Sequence, residues 1–133
     1  AGGIEAAKSG HYVVMSPGSH CYLDHYQADP ASQPLAIGGF TSLAKIYSYE
    51  PVPAALNADE AKYIMGAQGN VWTEYMPNSA HVEYMIYPRA AALSEVVWSP
   101  KESRNYDSFK ERMKNMVLRY YTYGINFSRV EFF

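Results

Sequence analysis

The sequence predicts an α/β fold with parallel strands under helical cover. Two short apolar runs of strand length, residues 12–15 and 63–66, are each followed by helical periodicity, and the order is strand, loop with helix, strand, helices. Two strands cannot make a protected parallel sheet, because each needs neighbours and helical cover on both faces. More strands are therefore expected from outside these 133 residues.

Residues 1–10 have no initiator Met and read as the tail of a helix closed by Gly10, so the chain is expected to enter mid-element, as a piece of a larger protein does. Tyr12-Val13-Val14-Met15 is a β-branched run ended by Ser16-Pro17-Gly18, which suits a buried parallel strand. A long polar loop carries Tyr22, Asp24, Asp29, Pro30 and Pro34. Phe40, Leu43, Ala44 and Tyr47 then recur at helical spacing, with Thr41 as the expected N-cap and Pro51 and Pro53 as terminators. The second strand starts at Tyr63-Ile64-Met65-Gly66 and is expected to run on to Trp72 and Glu74, its glycines marking close backbone approach. Residues 81–87 read as a helix that Pro88 interrupts, and residues 89–97 as a new one with Leu93, Val96 and Val97 on its apolar face. Asp107 is the expected cap of a last amphipathic helix, with Phe109, Met113, Met116, Val117 and Tyr120 on one side and Gly124 at its end. The tail, residues 125–133, is aromatic and open to either assignment.

With 133 residues, 48% of them hydrophobic, the chain fills one core and gives no sign of two independent domains. A formal net charge of −2 leaves no surplus of Lys and Arg to neutralise phosphates, so nucleic acid is not an expected partner. Cys21 is a single cysteine and cannot form an internal disulfide; no Cys/His set has zinc spacing, so no metal or other cofactor is implied. No apolar run approaches the roughly 20 residues a bilayer requires. The aromatic share of 15%, thirteen of them Tyr, exceeds what a minimal core demands. Tyr and Trp combine an apolar face with a polar tip, which serves sugar sites and interfaces as well as cores.

Two constellations sit beyond the strands: Tyr22-Leu23-Asp24 and Trp72-Thr73-Glu74. Each separates an aromatic from a carboxylate by one residue, so extended backbone would send both side chains to one face. An aromatic face to stack on and a carboxylate to accept hydroxyl protons are what a sugar site needs. A capped turn beside a buried aromatic would produce the same triplet, so either motif alone fits both readings.

These triplets, with His11-Tyr12-Val13-Val14-Met15-Ser16-Pro17, Ile64-Met65-Gly66-Ala67-Gln68-Gly69-Asn70-Val71 and residues 84–98 around Tyr87-Pro88-Arg89, resemble family 20 glycoside hydrolases, the β-N-acetylhexosaminidases. The resemblance runs nearly the whole chain in order. It implies that residues 1–133 are the C-terminal fragment of a (β/α)8 TIM barrel catalytic domain, supplying its last two strands and closing helices. In such barrels the C-terminal strand ends form the active-site mouth. The implied reaction is retaining hydrolysis of terminal β-linked GlcNAc or GalNAc, in which the substrate's own acetamido oxygen is the nucleophile. By the resemblance, Tyr22 orients that acetamido group, Asp24 binds a sugar hydroxyl, Trp72 walls the acetamido pocket and Glu74 accepts hydroxyls at positions 3 and 4. Arg89 and Glu95 are expected to be structural, the Arg by satisfying main-chain carbonyls or a carboxylate; Trp98 is expected to pack. The partners implied are N-acetylhexosamine-terminated glycans and the remainder of the barrel, or other copies of the chain, and the family setting implied is secreted, periplasmic or lysosomal.

The family's general acid is a Glu directly after an Asp in a Gly-rich, His-containing segment. Asp59-Glu60 is the one Asp-Glu here, and it lacks that context; carboxylates at the start of a helical turn explain it. The acid pair is expected upstream, leaving the fragment alone inactive. His11, His20, His25 and His81 have no ligand spacing, and the Asn126-Phe127-Ser128 sequon lies in a Phe-rich tail that favours burial. Two other classes remain open on the residues: a carbohydrate-recognition module without turnover, and a structural α/β domain whose aromatics only pack.

Overall fold

A computed structural model describes residues 2–132; Ala1 and Phe133, ends of the opening and tail readings, lie outside the described residues. Helix α1 (Gly2–Lys8) leads through Gly10, at φ 78°, into strand β1 (Val13–Met15). Strand β2 (Ile64–Ala67) pairs with β1 in parallel, aligning Val13 with Ile64, Val14 with Gly66 and Met15 with Ala67. That register slips by one residue between Val13 and Val14, opposite Gly66. Gly66 sits at φ 142°, a conformation that residues with a Cβ rarely adopt, so the irregularity has the residue it requires.

The second strand is shorter than expected. Ladder pairing stops at Ala67 and returns once, as a parallel bridge between Tyr22 and Asn70, while residues 71–73 carry no regular structure. Gly69 explains the close approach there: a Cβ on it would stand 3.2 Å from Leu23 Cδ1 and 3.3 Å from Leu93 Cδ2.

Five further helices follow: α2 (Leu43–Tyr47), α3 (Ala58–Ala61), α4 (Ser79–Ile86), α5 (Arg89–Trp98) and α6 (Tyr106–Tyr123). Their caps correct two expectations. Ser42, not Thr41, caps α2 by accepting from Lys45 N, and Thr41 is instead fully buried. Asn105, not Asp107, caps α6 by accepting from Ser108 N; Asp107 sits in the first turn, 3.5 Å from Lys110. Phe40 lies outside α2 and is exposed. Pro88 separates α4 from α5 as its ring dictates, and Gly124, at φ 67°, closes α6.

Helices α2, α5 and α6 form the core with the loop after β1. Leu43, Ile46 and Tyr47 of α2 meet Ala92, Leu93 and Val96 of α5, and Phe109, Met113, Val117 and Tyr120 of α6 close over them with Phe127. The tail is thereby settled at Phe127 and Ser128, both 2% exposed. Trp98 departs from expectation: at 90% exposure it packs against nothing described. Among the described residues no helix is long and apolar enough to cross a membrane.

Candidate functional site

Beyond the C-terminal ends of β1 and β2 the two segments stay side by side. Gln68 N donates to Met15 O at 2.9 Å, Asn70 N to Cys21 O at 2.7 Å and Leu23 N to Asn70 O at 2.8 Å. These bonds bring the loop that carries Tyr22 and Asp24 against the segment that leads to Trp72.

The extended geometry expected of the two triplets is absent. Residues 23–24 turn immediately after the Tyr22 bridge, so Leu23 enters the core and Asp24 is buried at 6% exposure, while Tyr22 stays half-buried with its ring tilted against His25 at 5.4 Å. Trp72 and Glu74 are both exposed, Trp72 by 54%, on irregular chain that turns at residues 74–75. Asp24 and Trp72 do come together, as walls of one cleft of about 180 Å3 whose lining also includes Leu35, Ile37, Tyr75 and His81. Tyr22 and Glu74 lie outside that cleft.

Arg89 holds this arrangement from below. Entirely buried at the start of α5, it donates through Nε and Nη2 to Met85 O at 3.0 and 2.7 Å, through Nη1 to Thr41 O at 2.8 Å and His25 O at 3.1 Å, and through Nη2 to Leu23 O. All five of its N–H groups are thus spent on carbonyls of the Asp24 loop, the lead into α2 and the end of α4. Burial pulls its pKa down to about 10, against the supporting charge of Asp24, so it stays protonated at neutral pH. The structural role expected of Arg89 is the one it has, through carbonyls and not a carboxylate.

Asp59 and Glu60 lie elsewhere. Asn57 caps α3, its side chain accepting from Asp59 N and Glu60 N, while Glu60 Oε2 accepts in return from Asn57 N at 2.9 Å. Helix α3 precedes β2, at the opposite end of the strand from the cleft. This is a capping box with a structural explanation. Among the described residues no group of three His, Cys, Asp or Glu is placed to hold a metal ion.

Leu35, Ile37, Tyr75 and His81 are cleft residues that spacing did not single out. The available signal was large apolar side chains in a polar loop: Leu35 is 68% and Ile37 54% exposed.

Residues 1–101 match the profile of the glycosyl hydrolase family 20 catalytic domain. Among curated relatives, a β-hexosaminidase of Porphyromonas gingivalis is 44% identical over 127 residues, covering 95% of this chain and 16% of its own length. A β-N-acetylhexosaminidase of Cellulomonas fimi is 32% identical over 110 residues, covering 83% of this chain and 22% of its own. Among solved structures, the family 20 β-N-acetylhexosaminidase of Streptomyces coelicolor superposes with a TM-score of 0.82 at 26% identity, over 95% of this chain and 25% of that one. The Vibrio harveyi exo-β-N-acetylglucosaminidase in complex with N-acetylglucosamine superposes with a TM-score of 0.80 at 30% identity, over 95% of this chain and 20% of that one. The chain therefore spans between a sixth and a quarter of the length of these relatives.

Proposed function

The chain belongs to glycosyl hydrolase family 20, and from that premise we propose that it is the C-terminal part of a (β/α)8 catalytic barrel in a retaining β-N-acetylhexosaminidase. On this reading β1 and β2 are the last two strands of the barrel, and the cleft beyond their C-terminal ends is part of the active-site mouth. The observation that carries it is the meeting of Asp24 and Trp72 in that cleft from two different strand ends: a hydroxyl acceptor beside an aromatic wall.

The substrate is a glycan ending in β-linked GlcNAc or GalNAc. Its acetamido oxygen attacks the anomeric carbon, so the protein has to orient that group, bind the ring hydroxyls and protonate the leaving oxygen. Tyr22 holds the acetamido group through its hydroxyl, Trp72 walls the acetamido methyl, and Asp24 and Glu74 accept ring hydroxyls. Protonation falls to an Asp-Glu pair outside these residues, since Glu60 is committed to capping α3. A narrow cleft lined from two strand ends fits a wall of a site completed by other parts of a barrel.

The test uses the full-length protein. The Tyr22 contact strengthens as the acetamido group gains charge, so Tyr22→Phe is expected to lower kcat and kcat/KM together, by about 10²–10³-fold. Hydroxyl anchoring is felt in the ground state as well, so Glu74→Gln is expected to put more of its loss into KM. A Tyr22→Phe enzyme with normal kinetics and a lowered melting temperature would end the assignment.

A further inference from the structure

Two buried polar atoms beside the cleft have no hydrogen-bond partner among the described residues: Asp24 Oδ1 and His81 Nε2. Both residues line it. Native interiors rarely leave such atoms unpaired, and two on one small cleft call for a common explanation. The Asp24 carboxylate can only accept, and Arg89 beside it has no N–H left to give. Imidazole in its Nε2–H tautomer is the complementary donor.

His81 is well supported for that task. Its backbone N donates to the Asn78 cap of α4 at 2.9 Å, and its ring meets the edge of Tyr84 at a centroid separation of 6.5 Å. Tyr84 is tied in turn to the Asp24 loop: Gln27 Nε2 donates to Tyr84 O at 3.0 Å, and Tyr84 donates to Gln33 Oε1 at 2.8 Å.

We propose that His81 is a positioning residue for Asp24: with sugar bound, Nε2–H donates to Asp24 Oδ1 and leaves the second carboxylate oxygen to a sugar hydroxyl. The proposal rests on the reading of Asp24 as a sugar contact. His81 acts through Asp24 and does not touch the reacting atoms. It also gives α4 a part in recognition that its sequence, with a histidine in no ligand spacing, does not announce.

A double-mutant cycle in the full-length enzyme tests this, with an aryl N-acetyl-β-glucosaminide as substrate and kcat/KM and melting temperature as readouts. His81→Leu is expected to lower kcat/KM roughly 10-fold in the native background, His81→Gln, which retains a donor, to recover most of that loss, and His81→Leu to change it by less than about twofold once Asp24→Ala is present. If Asp24→Ala does not fold, Asp24→Ser takes its place in the cycle. Equal losses from His81→Leu in both backgrounds overturn the proposal while leaving Asp24 as a sugar contact. A folded Asp24→Ala enzyme with native kcat/KM removes the sugar-contact reading itself, and the proposal with it.

Discussion

Arg89 shows how one side chain can hold a site it never enters. Its guanidinium ties the Asp24 loop, the residue before the α2 cap and the last turn of α4 through main-chain carbonyls, so the position of Asp24 depends on α5. Arg89→Lys keeps the charge but offers three donors in a different geometry, leaving buried carbonyls unpaired at about 1–3 kcal/mol each. The expected loss is about 3 kcal/mol or more of unfolding free energy, read by denaturant titration. Cys21 gives a second prediction at this scale. It is fully buried and burial pushes its thiol up to about 11, so it should resist alkylation at pH 8 in the native protein and react on unfolding. Rapid native labelling would show that the loop after β1 opens. The residue types were readable here and their geometry was not. Arg89 was legible because a buried Arg must find acceptors, whereas the same-face argument for Tyr22 and Asp24 assumed extended backbone that turns one residue too early.

Among elements, the contact between α2, α5 and α6 is pinned by Glu95. Its carboxylate accepts from Tyr47 of α2 at 2.7 Å and from Arg112 of α6 at 2.5 Å. Burial pushes its pKa up, but hydrogen bonds from Arg112 and Tyr47 and the Arg112 charge outweigh it, and the net shift is below the usual 4.5. A carboxyl with a depressed folded pKa stabilises the fold fully above its unfolded value, and that contribution is lost as pH falls through the folded value. Native protein should therefore lose stability as pH drops below about 4.5, and Glu95→Gln should flatten that part of the melting-temperature profile. Parallel profiles would exclude Glu95 as the source. Helix existence was legible throughout from apolar spacing and from Pro88 and Gly124. The caps were displaced because Ser42 and Asn105 compete with Thr41 and Asp107 a residue or two away, and local sequence does not rank such neighbours.

For the molecule as a whole, the two-stranded sheet with its flank and the end of α5 leave apolar surface uncovered: Tyr12 is 74%, Met65 70% and Trp98 90% exposed. Trp98 was expected to pack, and sequence pattern alone could not say that the end of α5 stands open. Surface of this kind is met by further barrel or by another copy, so the isolated chain should self-associate in sedimentation, and a compact monomer would count against the barrel reading. The α/β class was legible because parallel strands separated by helices have few arrangements; the shape of the cleft was not, because it depends on where the chain turns after each strand. The most direct measurement compares the 133-residue chain with the full-length polypeptide on an aryl N-acetyl-β-glucosaminide. The account predicts turnover by the full-length protein, unaffected by Glu60→Gln, and none by the chain alone. Turnover by the chain alone that disappears in Glu60→Gln would contradict it.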